Sequence, residues 1–314
     1  MQSTIVMTGA SRGIGRVAAE RILAERPGVH LVVLARASSQ SQVAELAAGR
    51  GSVTHITADL ESLDSIRLAV HEIEARLDGG ELPPLIGIVA NAGIQYTNVL
   101  TETPDGFEST FAVNVLANHL LIRLLEPRLR APGRIVITVS DTHFGDFKHN
   151  LGMVPGPVWQ TPARLARVGA HPRPETTAAG RIAYSTSKLA AIHLVHEYAR
   201  RLPAGVDVLA FNPGFVPGTD LARDADPFSR FAMRRVLPAL TLTPLANSPK
   251  TAGRHLADVV LGKVEAATGS YIDRDRVARS SDESYNRERE AELWVAVDQF
   301  TFGGNDRDGD VLKG

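Results

Sequence analysis

The 314-residue sequence contains no cysteine. A chain without thiols can form no disulfide, no cysteine nucleophile and no thiolate metal site. An excess of one charge is also missing, because 34 basic residues balance 35 acidic ones, and a net charge of −1 gives no field to attract nucleic acid or an anionic membrane. No apolar run approaches the roughly 20 residues of a membrane span, and the first residues lack the basic-then-apolar order of a signal peptide. These absences predict a cytoplasmic protein with no membrane span and no nucleic-acid partner.

Short runs rich in valine and isoleucine alternate with segments of helical periodicity. The runs that predict strands are 3–9, 29–36, 52–60, 85–93, 133–140 and 206–214, followed by a short last strand in GSYIDRD. Apolar strands that alternate with helices are typical of a parallel sheet covered on both faces. The expected fold class is therefore α/β, a doubly wound parallel sheet (Rossmann fold) in a single domain over residues 1–302, followed by a polar tail, 303–314. A long helix is expected over 105–129, and Ser62 and Ser281 are predicted N-caps, the latter of a C-terminal helix.

The stretch 141–180 is rich in Pro, Gly, His and Arg and shows no clear periodicity. Such a stretch is uncommon inside a compact domain and is usually functional or disordered. We interpret it as an inserted substrate lid, with a surface excursion as the alternative. Large apolar residues in it, and one after the sixth strand, would either line an apolar substrate pocket or bury the insert on the body: Phe144, Phe147, Met153, Trp159 and Phe215.

The motif TGASRGIG, residues 8–15, lies between the first predicted strand and the first predicted helix. Glycines let the backbone turn tightly and approach a ligand, and the N-terminus of the following helix favours a pyrophosphate. A glycine-rich turn in this position indicates a dinucleotide site, with a turn that binds nothing as the alternative. The predicted cofactor-binding residues of the turn are Gly9, Ser11, Arg12, Gly13, Ile14 and Gly15.

The end of the second strand has Arg36 where an NAD site has a carboxylate for the ribose hydroxyls. With Arg12, it would place two guanidinium groups near the extra phosphate of NADP, so we predict NADP rather than NAD. The alternative is that Arg36 is an ordinary surface residue. Asp59 and Leu60, which end the third strand, would place a carboxylate by the adenine amine, unless Asp59 caps the next helix.

The segment AYSTSKLA places Tyr184 four residues before Lys188. Four residues are about one helical turn, so both side chains leave the same face of a helix. An ammonium group beside a phenol favours the phenolate, so we expect the pKa of Tyr184 to lie below its usual value of about 10. Such a pair would be a proton donor near neutral pH, although the spacing by itself is also compatible with chance.

Taken together, these motifs resemble those of the short-chain dehydrogenase/reductase family over nearly the whole chain. The sequence also has NAG at 91–93, Asn114 in FAVNVLANHLL, Ser140 in RIVITVSDTH and NPG at 212–214, all in the family's order. VNVLANHLLIRLL, PGFVPGTDL and the position of Arg36 resemble the branch of retinol dehydrogenases and protochlorophyllide reductases. The active-site cysteine of protochlorophyllide reductase has no counterpart here.

The resemblance implies hydride transfer between NADP and a carbonyl or carbinol carbon. The catalytic residues that it implies are Asn114, Ser140, Tyr184 and Lys188. The further cofactor-binding residues that it implies are Asn91, Ala92, Gly93, Tyr184, Lys188, Pro213, Gly214, Val216 and Thr219. Tyr184 would exchange a proton with the substrate oxygen, Ser140 would donate a hydrogen bond to that oxygen, and Asn114 would hold a water, unless its amide ties strands together.

Several polar residues near these motifs have other expected roles. Asp141, beside Ser140, is an unusual neighbour for this site, and His143 falls where the branch often has a histidine. His119, His193 and His196 are expected to pack rather than bind a metal, because their spacing matches no metal set. The resemblance also favours a homo-oligomer, a dimer or tetramer, through the long helices after strands four and five, with a monomer, which also occurs in this branch, as the alternative.

The function that these residues predict is an NADP(H)-dependent ketoreductase or alcohol dehydrogenase for a bulky, largely apolar small molecule. A reductase of C=C bonds is one alternative. A non-catalytic NADP-binding protein is another, and the intact set of four catalytic residues argues against it.

Overall fold

Eight strands form one sheet in the computed structural model, which describes residues 2–48, 52–150, 152, 154–217 and 246–303. The strands are β1 (Ser3–Thr8), β2 (Val29–Ala35), β3 (Ser52–Thr57), β4 (Leu85–Ala90), β5 (Gly133–Thr138), β6 (Val206–Asn212), β7 (Tyr271–Asp273) and β8 (Arg276–Ala278). Their order is β3-β2-β1-β4-β5-β6-β7-β8. All neighbours are parallel except β7 and β8, whose antiparallel hairpin the sequence pattern did not predict.

Helices cover both faces of this sheet. They are α1 (Gly13–Glu25), α2 (Gln40–Ala47), α3 (Leu63–Asp78), α4 (Ser109–Phe111), α5 (Ala117–Leu125), α6 (Phe147–Asn150), α7 (Pro162–Leu165), α8 (Thr177–Arg201), α9 (Pro249–Val260) and α10 (Arg287–Phe302). One apolar core joins the sheet to α1, α2 and α9, and the other joins it to α3, α5, α8 and α10. This confirms the predicted doubly wound α/β fold. No helix in the described ranges is long and apolar enough to cross a membrane.

The strand order reverses at β1, which lies between β2 and β4. In a doubly wound sheet the connections on the two sides of such a point run in opposite directions, so a crevice opens at the carboxyl ends of the strands. The glycine-rich turn follows β1 and residues 91–93 follow β4, so both predicted cofactor segments start at this crevice.

Two predicted helix boundaries are wrong. The helix expected over 105–129 begins at Ser109 and passes through a π-helical turn, Ala112–Leu116, before α5. Ser281 does not cap α10, whose N-cap is Asn286, with a side chain that accepts from the N–H of Arg289. Ser62 is the N-cap of α3, as predicted, and accepts from the N–H of Ser65.

Part of the 141–180 stretch is helical, because α6, α7 and the first turn of α8 lie within it. Its backbone is tied to α8, where Val158 N–H donates to Thr186 Oγ1 at 3.0 Å and Ser185 Oγ donates to the Pro155 carbonyl at 2.8 Å. The stretch therefore packs on the helix that carries Tyr184, and its action as a lid stays a prediction. Of the predicted polar tail, residues 304–314 lie outside the described part.

Helix α10 packs on α5 and α8 and covers one face of each. Asp298 bonds to His119 Nε2 at 2.8 Å, and Tyr198 bonds to His119 Nδ1 at 2.9 Å. Trp294 packs against both His119 and Tyr198, and Glu290 bonds to His196 at 2.8 Å. A helix of the same chain thus occupies the surface of α5 and α8 through which the resemblance favoured an oligomer.

Candidate active site

Tyr184 and Lys188 lie one turn apart on α8, buried at the carboxyl edge of the sheet. The Lys188 Nζ is 5.5 Å from the centre of the Tyr184 ring, and the Tyr184 hydroxyl shares a hydrogen bond with Ser140, which follows β5. Lys188 and Asn114 both approach Gly93. The point that a Cβ on Gly93 would occupy is 3.2 Å from Lys188 Nζ and 3.3 Å from Asn114 Oδ1, so these two side chains lie close to each other. The four predicted catalytic side chains therefore come together, although they are spread over 75 residues of sequence.

Burial controls the protonation of the tyrosine and the lysine. It raises the pKa of Tyr184 well above the usual value, and the hydrogen bond from Ser140 opposes this only in part. It lowers the pKa of Lys188 to about 8, because the ammonium is desolvated. The expected lowering of the tyrosine pKa by Lys188 is therefore wrong for the protein alone. The Nζ bonds to the Thr138 carbonyl oxygen at 3.0 Å, and its own charge is disfavoured.

Asn114 lies on the π-helical turn, a feature that often marks functional sites. Its amide makes three hydrogen bonds: Oδ1 accepts from the Ile94 N–H, and Nδ2 donates to the Ile94 carbonyl and to Ser187 Oγ, all at 2.9 Å. Ser187 in turn donates to the Tyr184 carbonyl at 2.7 Å. The side chain thus ties the segment after β4 to α8, rather than one strand to another as the alternative had it, and the water role stays a prediction.

The residues after Ser140 form a buried polar group. Burial, and then the charge of Asp273, raise the pKa of Asp141 to about 6. Burial lowers the pKa of His143 to about 4, so its imidazole is neutral at pH 7. Its Nδ1 donates to the Ser140 carbonyl, and its Nε2 accepts from the Ser281 N–H at 3.1 Å. His143 therefore links the backbone of Ser140 to the backbone of Ser281, in the C-terminal part of the chain.

The glycine-rich turn packs tightly and leaves the start of α1 open. A Cβ on Gly15 would lie 2.1 Å from the Gly9 carbonyl oxygen, so no other residue fits there. Gly13 has φ +58, and a Cβ there would meet nothing within 4 Å. No side chain caps the helix and no acidic residue lies in its first turn, so its N–H groups are available to an anion. Ser11, Arg12 and Ile14 lie in this same turn.

Arg36 and Asp59 lie at the ends of neighbouring strands, where Ala58 N–H donates to the Ala35 carbonyl at 3.0 Å. Both residues are exposed, and the Asp59 carboxylate accepts from the Glu61 N–H at 3.1 Å. Leu60 packs against the core. Asp59 therefore forms a local turn, whereas the cap of the next helix is Ser62.

Asn91 connects three strand ends. Its Nδ2 donates to the Gly9 carbonyl at 3.2 Å, and its Oδ1 accepts from Thr138 Oγ1 at 3.2 Å. The N–H of Ala92 donates to Thr8 Oγ1 at 3.0 Å. Asn91 and Ala92 thus shape the crevice, and their contact with a cofactor stays a prediction.

The loop after β6, with Pro213, Gly214 and Val216, is held by Asn212 of the NPG motif and by Asn247, which no sequence pattern singled out. Asn212 Oδ1 accepts from the Gly214 N–H at 3.1 Å and from the Asp141 N–H at 3.2 Å. Asn247 Nδ2 donates to the Pro213 carbonyl at 2.9 Å. No sequence motif indicated Asn247, because it lies 34 residues beyond Pro213 in the chain. Thr219 lies outside the described residues.

Two large aromatic residues of the insert bury it on the body. Phe144 packs against the core and meets Tyr271 of β7 edge-on at 6.2 Å, and Trp159 meets His193 of α8 edge-on at 4.8 Å. Phe147 is 74% exposed, and Phe215 is half-buried. Met153 lies outside the described residues. Phe144 and Trp159 thus make the contacts that the packing alternative predicts, and a role in a substrate pocket stays a prediction.

The three histidines expected to pack are in buried positions. His119 and His196 bond to Asp298 and Glu290 of α10, and His193 bonds to the Ser284 carbonyl at 3.1 Å. Within the described ranges, no group of three or more His, Asp and Glu residues could hold a metal ion.

Comparisons with known proteins agree with this geometry. The family model for short chain dehydrogenases matches residues 3–151. The chain is 31% identical to the putative daunorubicin C-13 ketoreductase DnrU of Streptomyces sp. (strain C5), over 93% of this chain and 90% of the relative. It is 31% identical to retinol dehydrogenase 13 of Homo sapiens, over 93% and 82%. It is 30% identical to the chloroplastic protochlorophyllide reductase B of Hordeum vulgare, over 92% and 76%.

The fold is shared with solved structures. A short chain dehydrogenase from Burkholderia cenocepacia J2315, solved in complex with NADP, superposes with a TM-score of 0.60 at 24% identity, over 86% of this chain and 95% of that one. The chain therefore belongs to the short-chain dehydrogenase/reductase family, in the branch of the retinol dehydrogenases and protochlorophyllide reductases.

Proposed function

We propose that this protein is an NADP(H)-dependent oxidoreductase that transfers a hydride between nicotinamide and a carbonyl or hydroxyl carbon of a bulky, largely apolar small molecule. The observation that carries the proposal is the convergence of Ser140, Tyr184 and Lys188, with Tyr184 bonded to Ser140 and next to the lysine ammonium. A proton donor, a second hydrogen-bond donor and a cation around one point suit a reaction that develops charge on an oxygen.

The burial of Tyr184 favours the reductive direction in this proposal. Because its pKa is raised, the phenol is protonated at neutral pH and can give its proton to an oxygen that gains negative charge. Ser140 can donate to the same oxygen and stabilise that charge. Bound NADPH would supply the hydride. The ammonium of Lys188 lies beside the ring of Tyr184, whose hydroxyl would give up its proton.

Two features support NADP as the cofactor. The uncapped start of α1, with open space at Gly13, fits a pyrophosphate. Arg36 is exposed at the end of β2, where a guanidinium can bind the additional phosphate of NADP. The structure shows no ion pair of Arg36 with another described residue.

The similarity to a putative C-13 ketoreductase supports a ketone as the substrate.

Reduction of a C=C bond is a second candidate. The relatives that include protochlorophyllide reductases favour it. Protochlorophyllide reductase has an active-site cysteine, and this chain contains no cysteine. Its absence favours reduction of a carbonyl over reduction of a C=C bond.

The test is the oxidation of NADPH, beside NADH, with a panel of bulky ketones, aldehydes, quinones and conjugated enones, followed by product identification. We expect turnover with NADPH that Tyr184→Phe lowers about 1,000-fold, since a positioned proton donor contributes that much. Tyr285→Phe, at a residue 44% exposed, is the matched control and should keep its activity. Saturated carbonyl products would favour the second candidate. NADPH binding with no turnover across the panel would contradict the enzymatic proposal and favour a binding protein.

A further inference from the structure

Arg274 has a backbone conformation that side chains rarely adopt. It follows β7 in the two-residue turn that leads to β8, where Asp273 pairs with Arg276, and its φ is +63°. Glycine is the usual residue with positive φ in such a hairpin turn, because a Cβ is strained there. Among the described residues, Arg173 is the other non-glycine residue with positive φ.

The side chain of Arg274 adds a second unfavourable feature. Its Nε is buried and has no hydrogen-bond partner in the described part of the chain. A buried donor without an acceptor destabilises a fold, and so does a strained φ. Both disadvantages belong to one residue, and glycine at this position would remove both.

Arg274 contacts the loop after β6. Its N–H donates to the Asn212 carbonyl at 2.8 Å, and its Nε lies 2.7 Å from the point that a Cβ on Gly214 would occupy. Asn247 Nδ2 lies 3.2 Å from the same point and donates to the Pro213 carbonyl at 2.9 Å. Arg274 and Asn247 therefore pack together against Gly214, on the face where a side chain would project, and each is hydrogen-bonded to the backbone beside it.

The place of this loop in the sheet indicates which part of a dinucleotide it would meet. Four strand spacings separate β2, which ends at Arg36, from β6. At about 4.8 Å per spacing this is roughly 19 Å, which is the scale of an extended dinucleotide. With the NADP phosphate at Arg36, the loop after β6 would lie at the nicotinamide end.

We propose that Arg274 is a positioning residue that holds the Pro213–Gly214 loop in the shape required by the nicotinamide half of the cofactor, at the expense of stability. The inference rests on the proposed function. It assigns to the β7–β8 hairpin a role in cofactor binding through the loop.

The test compares cofactor affinity and thermal stability in three variants of the full chain. Arg274→Gly removes the side chain and the strain, whereas Arg274→Ala removes the side chain alone. Arg173→Gly is the matched control, because it relieves the same kind of strain at an exposed residue far along the chain. Calorimetry with NADPH and with 2′,5′-ADP, which lacks the nicotinamide half, gives the two affinities.

We expect both Arg274 variants to bind NADPH about tenfold more weakly and 2′,5′-ADP unchanged, because a loop that must be ordered on binding weakens affinity. Arg274→Gly should melt roughly 2 °C higher than the wild type, as should Arg173→Gly, whose NADPH affinity stays unchanged. A lower Tm in Arg274→Gly, or unchanged NADPH affinity, would overturn the inference alone. A wild-type protein that binds no NADPH would contradict the proposed function and this inference together.

Discussion

The ammonium of Lys188 is bonded to the main-chain carbonyl of Thr138, at 3.0 Å. Thr138 is the last residue of β5, and its hydroxyl donates to Asn91 at the end of β4. Ser140 follows two residues later, so the lysine on α8 and the serine after β5 are located by the same strand end. The strand end at Thr138 therefore helps to fix the positions of two of the predicted catalytic side chains, Lys188 and Ser140.

The first prediction concerns the stability cost of Lys188. Its folded-state pKa, about 8, lies below the usual 10.5, so the unfolded chain binds more protons between these values and stability rises as pH increases from 8 to 10.5. Below pH 8 the penalty is fully present. We expect Lys188→Met to raise the free energy of unfolding at pH 7 by about 2 kcal/mol, after allowing for the unpaired Thr138 carbonyl, while it abolishes turnover.

Denaturant unfolding at pH 7, 9 and 10.5 checks this. The gain of the variant over the wild type should shrink as pH rises through that range. Lys250→Met, at an exposed lysine of α9, is the control and should show no such trend. A destabilised Lys188→Met at pH 7 would show that the buried ammonium is better compensated than the one carbonyl partner found among the described residues indicates.

The second prediction concerns His193, which is fully buried against Trp159. Burial lowers its pKa from 6.5 to about 3. As pH falls below 6.5, His193 becomes protonated in the unfolded chain but stays neutral in the folded one. The free energy of unfolding therefore decreases. We expect this residue alone to remove about 3 kcal/mol between pH 6.5 and 4, since each pKa unit corresponds to about 1.4 kcal/mol.

Asp141 and Glu108 titrate in the same range with pKa values of about 6 and oppose this trend, so the variant comparison is essential. Unfolding of the wild type and His193→Gln, measured at pH 7, 5.5 and 4.5, isolates the histidine. The wild type should lose more stability than the variant on acidification. Parallel pH profiles would mean that His193 gains a proton in the folded state.

The third prediction separates the two nicotinamide cofactors. Arg36→Ala should weaken NADPH binding about tenfold, because a charge-assisted hydrogen bond to a phosphate is lost, and should leave NADH binding unchanged. Arg26→Ala, at another exposed arginine just before the opposite end of β2, is the control. Equal weakening of both cofactors, measured by fluorescence titration, would place Arg36 outside the phosphate site.

The fourth prediction is that the protein is a monomer. The faces of α5 and α8 that an oligomer of this family would use are covered by α10, through Leu293, Trp294 and Val297, all buried. His119 and Asp298 add a buried polar contact between α5 and α10. Light scattering on the intact chain at micromolar concentration should give the mass of one chain. A mass of two or four chains would show that assembly uses another surface.

Local patterns in the sequence determined the fold class and the elements that carry the predicted site residues. The strands predicted from apolar runs, the turn TGASRGIG and the helix with Tyr184 and Lys188 are all present, because each depends on neighbours a few residues apart. The hairpin of β7 and β8 and the true start of α10 were missed, since short elements carry little periodic signal.

Only the tertiary structure decided the properties that depend on distant neighbours. The sequence places Lys188 near Tyr184, but desolvation by the whole fold raises the pKa of the tyrosine and lowers that of the lysine. Likewise, no local sequence pattern predicts that Arg274 packs against Gly214 or that α10 covers α5. Spacing along a chain determines which side chains share an element, whereas burial and long-range packing determine their charge and their partners.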